Sequence, residues 1–275
     1  MGSSITIRVW LGVCVLLGLC AAGYFFFVLT EPGQRFDNAA YFGRGEGGTQ
    51  VLRLDQKLLG SVTNGFIAGV LILIAMASLV RRRWMSGIAA AFAVMLSVGG
   101  AEVLKANLPH PVLAIPQGAE PGYFREDTYP SGHTASGCSL ALGLIMVCRA
   151  RWRAMLSGAG ALICAAYATG VVFLGWHRPS DAVGGILWTG ACFALTTGIL
   201  LLLRGSPRAF VFRGPAAAVM LVFTGILALV CAWVAAGFTG GAGGISFHLM
   251  LILIVSSAFA TAGWFGFLLD GLEEV

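Results

Sequence analysis

Charge is scarce in this sequence. Asp, Glu, Lys and Arg make up only 11% of its 275 residues, and hydrophobic residues make up 58%; soluble domains carry roughly 25% charged residues. That balance fits an integral membrane protein, and several runs of about 20 apolar residues are long enough to cross a bilayer. The small positive excess (+5) is no sign of nucleic acid, because the arginines fall in short clusters between apolar runs, as in cytoplasmic loops. A CxxC pair is lacking. All seven cysteines (Cys14, Cys20, Cys138, Cys148, Cys164, Cys192 and Cys231) lie inside apolar runs. A free thiol there behaves as a small hydrophobe, so neither a disulfide framework nor a metal cluster is expected. Long linkers, internal repeats and a second domain are lacking too, and residues 1–275 read as one integral membrane domain.

What remains is an all-α, polytopic membrane helical bundle, since backbone in lipid must be satisfied within helices. About eight spans are expected, at roughly 9–30, 59–80, 84–104, 134–149, 154–174, 182–203, 214–236 and 247–269. Stretches such as "SGAGALICAAYATG" are rich in small residues, which let helices pack closely in lipid. The basic clusters Arg81–Arg83, Arg149–Arg153 and Arg204–Arg213 lie in alternate loops and mark the cytoplasmic side, with Trp10, Trp84 and Trp152 beside the inner basic residues as an aromatic belt. Both termini are then cytoplasmic, in the plasma (inner) membrane, and loops 31–58, 105–133, 175–181 and 237–246 face outward. The first apolar run resembles a signal peptide but is long enough to span, and reads as a retained first helix. "MGSSIT" matches the myristoylation pattern; the pattern is short, and a multi-span protein needs no further anchor. The first outer loop, "EPGQRFDNAAYFGRGEGGTQVLRLDQK", mixes both signs and reads as a lid or a short interfacial helix.

Polar residues gather in two outward loops, separated by two spans, that can converge. One is "KANLPHPVLAIPQGAEPGYFREDTYPSGH" (105–133) and the other is "LGWHRPSDAVGG" (174–185). In "PSGH", Pro suits a helix start and Gly allows close approach to the backbone. The N–H groups of Ser131, Gly132 and His133 would then open the fourth span, where amides and helix dipole favour an anion. The Ser131 hydroxyl can add a donor, and His133 can carry a proton near neutral pH. The plainer alternative is an ordinary Ser/Thr cap with an interfacial His. In "GWHRPSD", Pro179 sets the first turn of the sixth span. Asp181 can then hold one nitrogen of His177 and leave the other as nucleophile or base. Alternatively, Asp181 only caps the helix and His177 and Trp176 are interfacial. Lys105 either snorkels and pairs with Glu102, or neutralises phosphate oxygens.

These stretches, in this order and on these loops, resemble the type 2 phosphatidic acid phosphatase family, membrane relatives of the vanadium-dependent haloperoxidases. Its motifs are Lys-x6-Arg-Pro, Pro-Ser-Gly-His and Ser-Arg-x5-His-x3-Asp. The second is complete here as Pro130-Ser131-Gly132-His133, and the third keeps His177-x3-Asp181. The first survives as Lys105 followed by Leu108-Pro109-His110-Pro111. The resemblance covers about residues 59–203, assigns the first two spans loosely to a six-helix phosphatase-like core, and leaves two additional spans in 204–275. Both family arginines are missing from their places. His110 replaces one, and the Ser-Arg positions are Gly170 and Val171. Arg178 is the first candidate to substitute, and Arg125 the second, because a guanidinium suits phosphate oxygens.

The resemblance implies that His177 attacks phosphorus to form a phosphohistidine, that Asp181 holds its ring, and that His133 serves as acid and then base. Lys105, Arg178, Ser131 and Gly132 would bind the phosphoryl oxygens, with His110 and Arg125 as weaker candidates. No metal or other cofactor is expected, as carboxylates are few in these loops. The implied substrate is a membrane lipid phosphate or diphosphate: phosphatidate, phosphatidylglycerol phosphate, a polyprenyl diphosphate or a polyprenyl-phospho-sugar. The bilayer is the other partner, and no nucleic acid is expected. A lipid phosphotransferase and a non-catalytic lipid-binding or transport protein stay open as alternatives.

Overall fold

The computed structural model of the protein describes residues 2–44, 64–115, 128–204 and 245–270. Among them the regular structure is entirely helical. Helix α1 (Gly2–Gly23) runs into a π-helical turn (Tyr24–Val28), followed by α2 (Glu31–Phe42), α3 (Asn64–Val80) and α4 (Trp84–Asn107). Then come α5 (Gly132–Val147), α6 (Ala150–Phe173), α7 (Pro179–Arg204) and α8 (Ile245–Asp270). Five stretches are long and apolar enough to cross a membrane: Thr6–Val28, Trp84–Asn107, Ala150–Phe173, Pro179–Arg204 and Ile245–Leu269. Two shorter apolar helices, Gly65–Val80 and Gly132–Val147, fall where two further spans were expected. The expected span at 214–236 lies outside the described residues. The chain is a polytopic helical membrane protein.

Helix α7 is the centre of the bundle, and α1, α4, α5, α6 and α8 all pack on it. A helix that is apolar on every side must be enclosed by protein or lipid, and α7 is enclosed by protein: Ala182, Ile186, Ala191, Phe193 and Leu201 are all buried. Helices α1, α3 and α4 instead leave Leu11, Leu19, Ile72, Leu79, Phe92 and Val103 exposed, as a lipid-facing surface requires. Some of the enclosed polar side chains pair between helices. Ser97 of α4 and Thr189 of α7 share a hydrogen bond of 2.9 Å, and Trp188 Nε1 donates to the Ser97 carbonyl at 2.9 Å.

Two ends of the bundle can be told apart. At one, the Arg81 guanidinium donates to the Val147 carbonyl, which brings the basic clusters at 81–83 and 149–153 together. The other end gathers the C-termini of α4 and α6 and the N-termini of α5 and α7. The expected lid or interfacial helix is, over Glu31–Phe42, the helix α2. Thr30 caps it, accepting from Gly33 N at 3.2 Å, and Pro32 sits in its first turn, where a missing N–H costs nothing. Helix α2 buries a polar face of Gln34, Asp37 and Asn38.

Candidate active site

Helix α5 begins at the second motif. Ser131 is its N-cap: the backbone is extended there, and the Oγ accepts from Thr134 N at 3.3 Å. The Ser131 N–H donates to the Asp181 carbonyl at 2.9 Å, which ties the start of α5 to the start of α7. Of the three amides expected to face an anion, the Ser131 amide is therefore already committed. Ser131 is fully buried, and the first use of its hydroxyl is as the cap.

Helix α7 begins at the third motif. Asp181 Oδ2 accepts from the Arg178 amide at 2.9 Å, an acid reaching back to cap its own helix. The same oxygen stands 3.5 Å from Nδ1 of His177, at ion-pair distance but long for a hydrogen bond. Catalytic hydrogen bonds are often long before substrate binds. Both readings of Asp181, cap and histidine partner, thus describe one carboxylate. His177 is 8% exposed and Asp181 1%. The His133 ring lies against His177 with centroids 5.9 Å apart, and against Trp176 at 5.2 Å. Two imidazoles at that spacing can flank one phosphoryl group.

The loop into α7 turns on the backbone of α6. The amides of Trp176 and His177 both donate to the Val171 carbonyl, at 2.9 and 3.2 Å. Val171 itself is fully buried in the core, so position 171 serves the site through its carbonyl and presents no side chain to a phosphate.

Lys105 Nζ lies 2.6 Å from Glu102 Oε1; the lysine side chain is 17% exposed and the glutamate 62%. The pair sits over the first residue of α5, for a Cβ at Gly132 would meet Glu102 Oε1 at 2.6 Å and Lys105 Nζ at 3.5 Å. Glycine at 132 is what admits them. The Glu102 carboxylate thus lies beside a helix N-terminus, the position that favours an anion. His110 is set edge-on to Tyr24, with centroids 6.1 Å apart, and Tyr24 O–H donates to the Pro109 carbonyl at 2.5 Å. The structure therefore packs the remnant of the first motif on the π-helical turn that follows α1. Arg178 is half-buried, and its charge acts on the Asp37 carboxyl. Arg125 lies outside the described residues. Among the described residues, no three His, Cys, Asp or Glu side chains converge as metal ligands would.

One acid was missed in the sequence. Asp37 of α2 is fully buried and accepts from Ser180 N at 3.0 Å and Ser180 Oγ at 2.6 Å. Burial raises its pKa to about 7, with help from the Asp181 charge and against the two Ser180 donors and the Arg178 charge. A faint signal existed: Gln34, Asp37, Asn38 and Tyr41 follow the i, i+3, i+4, i+7 spacing of one helix face, here a polar one.

No curated protein and no solved structure matches this chain. Residues 86–204 do match the family model of the PAP2 superfamily, a span that runs from α4 to the end of α7 and holds Lys105, the paired histidines and Asp181. The match supports assigning the segment that builds this site to the PAP2 superfamily, and with it a phosphatase-type activity on phosphate esters.

Proposed function

We propose that the protein is a membrane lipid phosphatase that works through a phosphohistidine at the extracytoplasmic face. The observation that carries this reading is the pairing of His133 and His177, centroids 5.9 Å apart, with the Asp181 carboxylate behind His177. With the Nδ1 proton turned to Asp181, His177 has a lone pair on Nε2 for attack. That nitrogen bonds to phosphorus while the bond from phosphorus to the lipid oxygen breaks, and His133 gives the leaving oxygen its proton. In the second step His133 takes a proton from water, the hydroxide attacks phosphorus, and the P–N bond breaks to release phosphate and His177. The imidazolium formed on the way is stabilised by Asp181.

Charge on the phosphoryl oxygens is offset by Lys105, Arg178 and the start of α5 with its Gly132 amide. Lys105 must exchange Glu102 for phosphate to do so. The Glu102 side chain is mostly exposed, and a pair of that kind is worth only about 0–1 kcal/mol, so the exchange costs little. His110 and Arg125 are left as candidates for headgroup contacts. The substrate reaches the site from the bilayer, which suits phosphatidate, phosphatidylglycerol phosphate or a polyprenyl diphosphate.

The test is His177→Ala in the full chain, assayed for phosphate release from a panel of these lipids. The expected loss is about a thousandfold or more, and turnover like that of the wild type would rule the reading out. Transfer of the phosphoryl group to an added alcohol in place of free phosphate would instead indicate a phosphotransferase with the same intermediate.

A further inference from the structure

We propose that α2, which lies outside the segment that matches the family, is the positioning element of the active site, with Asp37 as its principal residue. The inference rests on His133 and His177 being the catalytic pair. Burying a carboxylate, an amide and another amide on a short helix is unfavourable unless each finds partners. Apart from the Val28 carbonyl, which also accepts from Gln34 Nε2 at 2.6 Å, the partners found belong to the two motif loops. Gln34 Nε2 donates to the Pro111 carbonyl at 2.6 Å, and its Oε1 accepts from Leu113 N at 2.9 Å and Ala114 N at 3.1 Å. Asn38 Nδ2 donates to the Ala114 carbonyl at 2.9 Å. These bonds hold the chain that follows Lys105 and His110.

One step round the helix, Asp37 and Tyr41 face the other loop. Asp37 holds Ser180 by both its amide and its hydroxyl, at 3.0 and 2.6 Å, and Tyr41 O–H donates to the Gly175 carbonyl at 2.7 Å. His177 lies between those two anchors. Ser180 is also the neighbour of Asp181, the carboxylate behind His177. A pair of anchors on either side of the nucleophile fixes its direction of attack, and a shift of about 1 Å at such a site can cost about a hundredfold in rate. Asp37 touches no reacting atom in this scheme and acts through Ser180.

The experiment uses the full chain in nanodiscs, with phosphate release from phosphatidate, phosphatidylglycerol phosphate and a polyprenyl diphosphate as one readout. Amide hydrogen exchange over residues 175–182 is the other. In Asp37→Asn one of the two acceptor oxygens becomes a donor. We expect kcat to fall about 10- to 100-fold with KM nearly unchanged, and exchange in that segment to quicken about tenfold or more. Ser180→Ala should lose a similar factor, and the double variant should be no worse than the poorer single one. Wild-type kcat together with wild-type exchange in Asp37→Asn overturns the proposal. So does a fall in folded yield with normal kcat for each folded molecule, which would make Asp37 a merely structural residue. If the wild type releases no phosphate from any of these lipids, the phosphatase reading fails, and the exchange result alone decides whether α2 positions the loop.

Discussion

At the scale of single residues, Asp37 and Asp181 show how position decides what an acid does. Asp181 receives the Arg178 amide and faces His177. Asp37 lies on the far side of Ser180 and takes its proton at about 7, against an ordinary 3.8, chiefly because it is buried and next because Asp181 is near. Between those values the folded protein holds the proton and the unfolded chain has released it. The contribution of Asp37 to stability is therefore complete below its ordinary pKa and is lost as pH rises through about 7. The unfolding temperature of the wild type should fall across that window more steeply than that of Asp37→Asn, whose amide does not titrate. Parallel profiles for the two proteins would show that Asp37 is ionised throughout.

At the scale of elements, the helix starts were legible, as was a short helix as one reading of the first outer loop, but what that helix braces was not. "PSGH" and "HRPSD" carry caps, prolines and close glycines, which are local signals of where a helix begins. The partners of α2 are backbone carbonyls and amides far off in sequence, such as Ala114 for Asn38 and Gly175 for Tyr41. Backbone groups are the same at every residue, so no spacing in the sequence reveals those pairings. The turn between α6 and α7 shows the same limit. Gly175 has φ +69°, and a Cβ there would meet Arg44 Nη2 at 2.6 Å. Arg44 in turn lies over the Tyr41 ring at 3.9 Å. Gly175→Ala should destabilise the protein by about 1–2 kcal/mol from the left-handed backbone alone, and it should slow turnover because His177 follows two residues later. Thermal unfolding and kcat would both register the change; an unaltered unfolding temperature would refute the strain argument.

At the scale of the whole molecule, the alternation of basic clusters with polar loops foretold which segments share an end of the bundle. The bond from Arg81 to the Val147 carbonyl joins two of those clusters, at the end opposite the histidines. Charge in loops is a signal that survives in composition. The arrangement of α1, α7 and α8 around one another was not legible, because helices that are apolar on every side carry no direction. The positive-inside rule gives the polarity a test. In a cysteine-free background, Asn107→Cys should react with an impermeant maleimide in intact cells, and Arg151→Cys only after permeabilisation. The reverse pattern would put the histidines on the cytoplasmic side.

The Tyr129 O–H donates to the Cys20 carbonyl at 2.6 Å, and its ring fills the space where Gly184 lacks a side chain. The loop that delivers His133 is thus wedged between the first helix and the central one. During synthesis α1 enters the membrane long before α7 exists, and the wedge around Tyr129 is complete only when Gly184 of α7 has been made. Chain growth at roughly 5–20 residues per second sets a delay of about ten to a few tens of seconds between the two. In the proposed scheme His177 and Asp181 act from the start of α7, so a nascent chain gains phosphatase chemistry only once that helix has been inserted, and the timing of α7 insertion, rather than of any single motif, fixes when activity first appears.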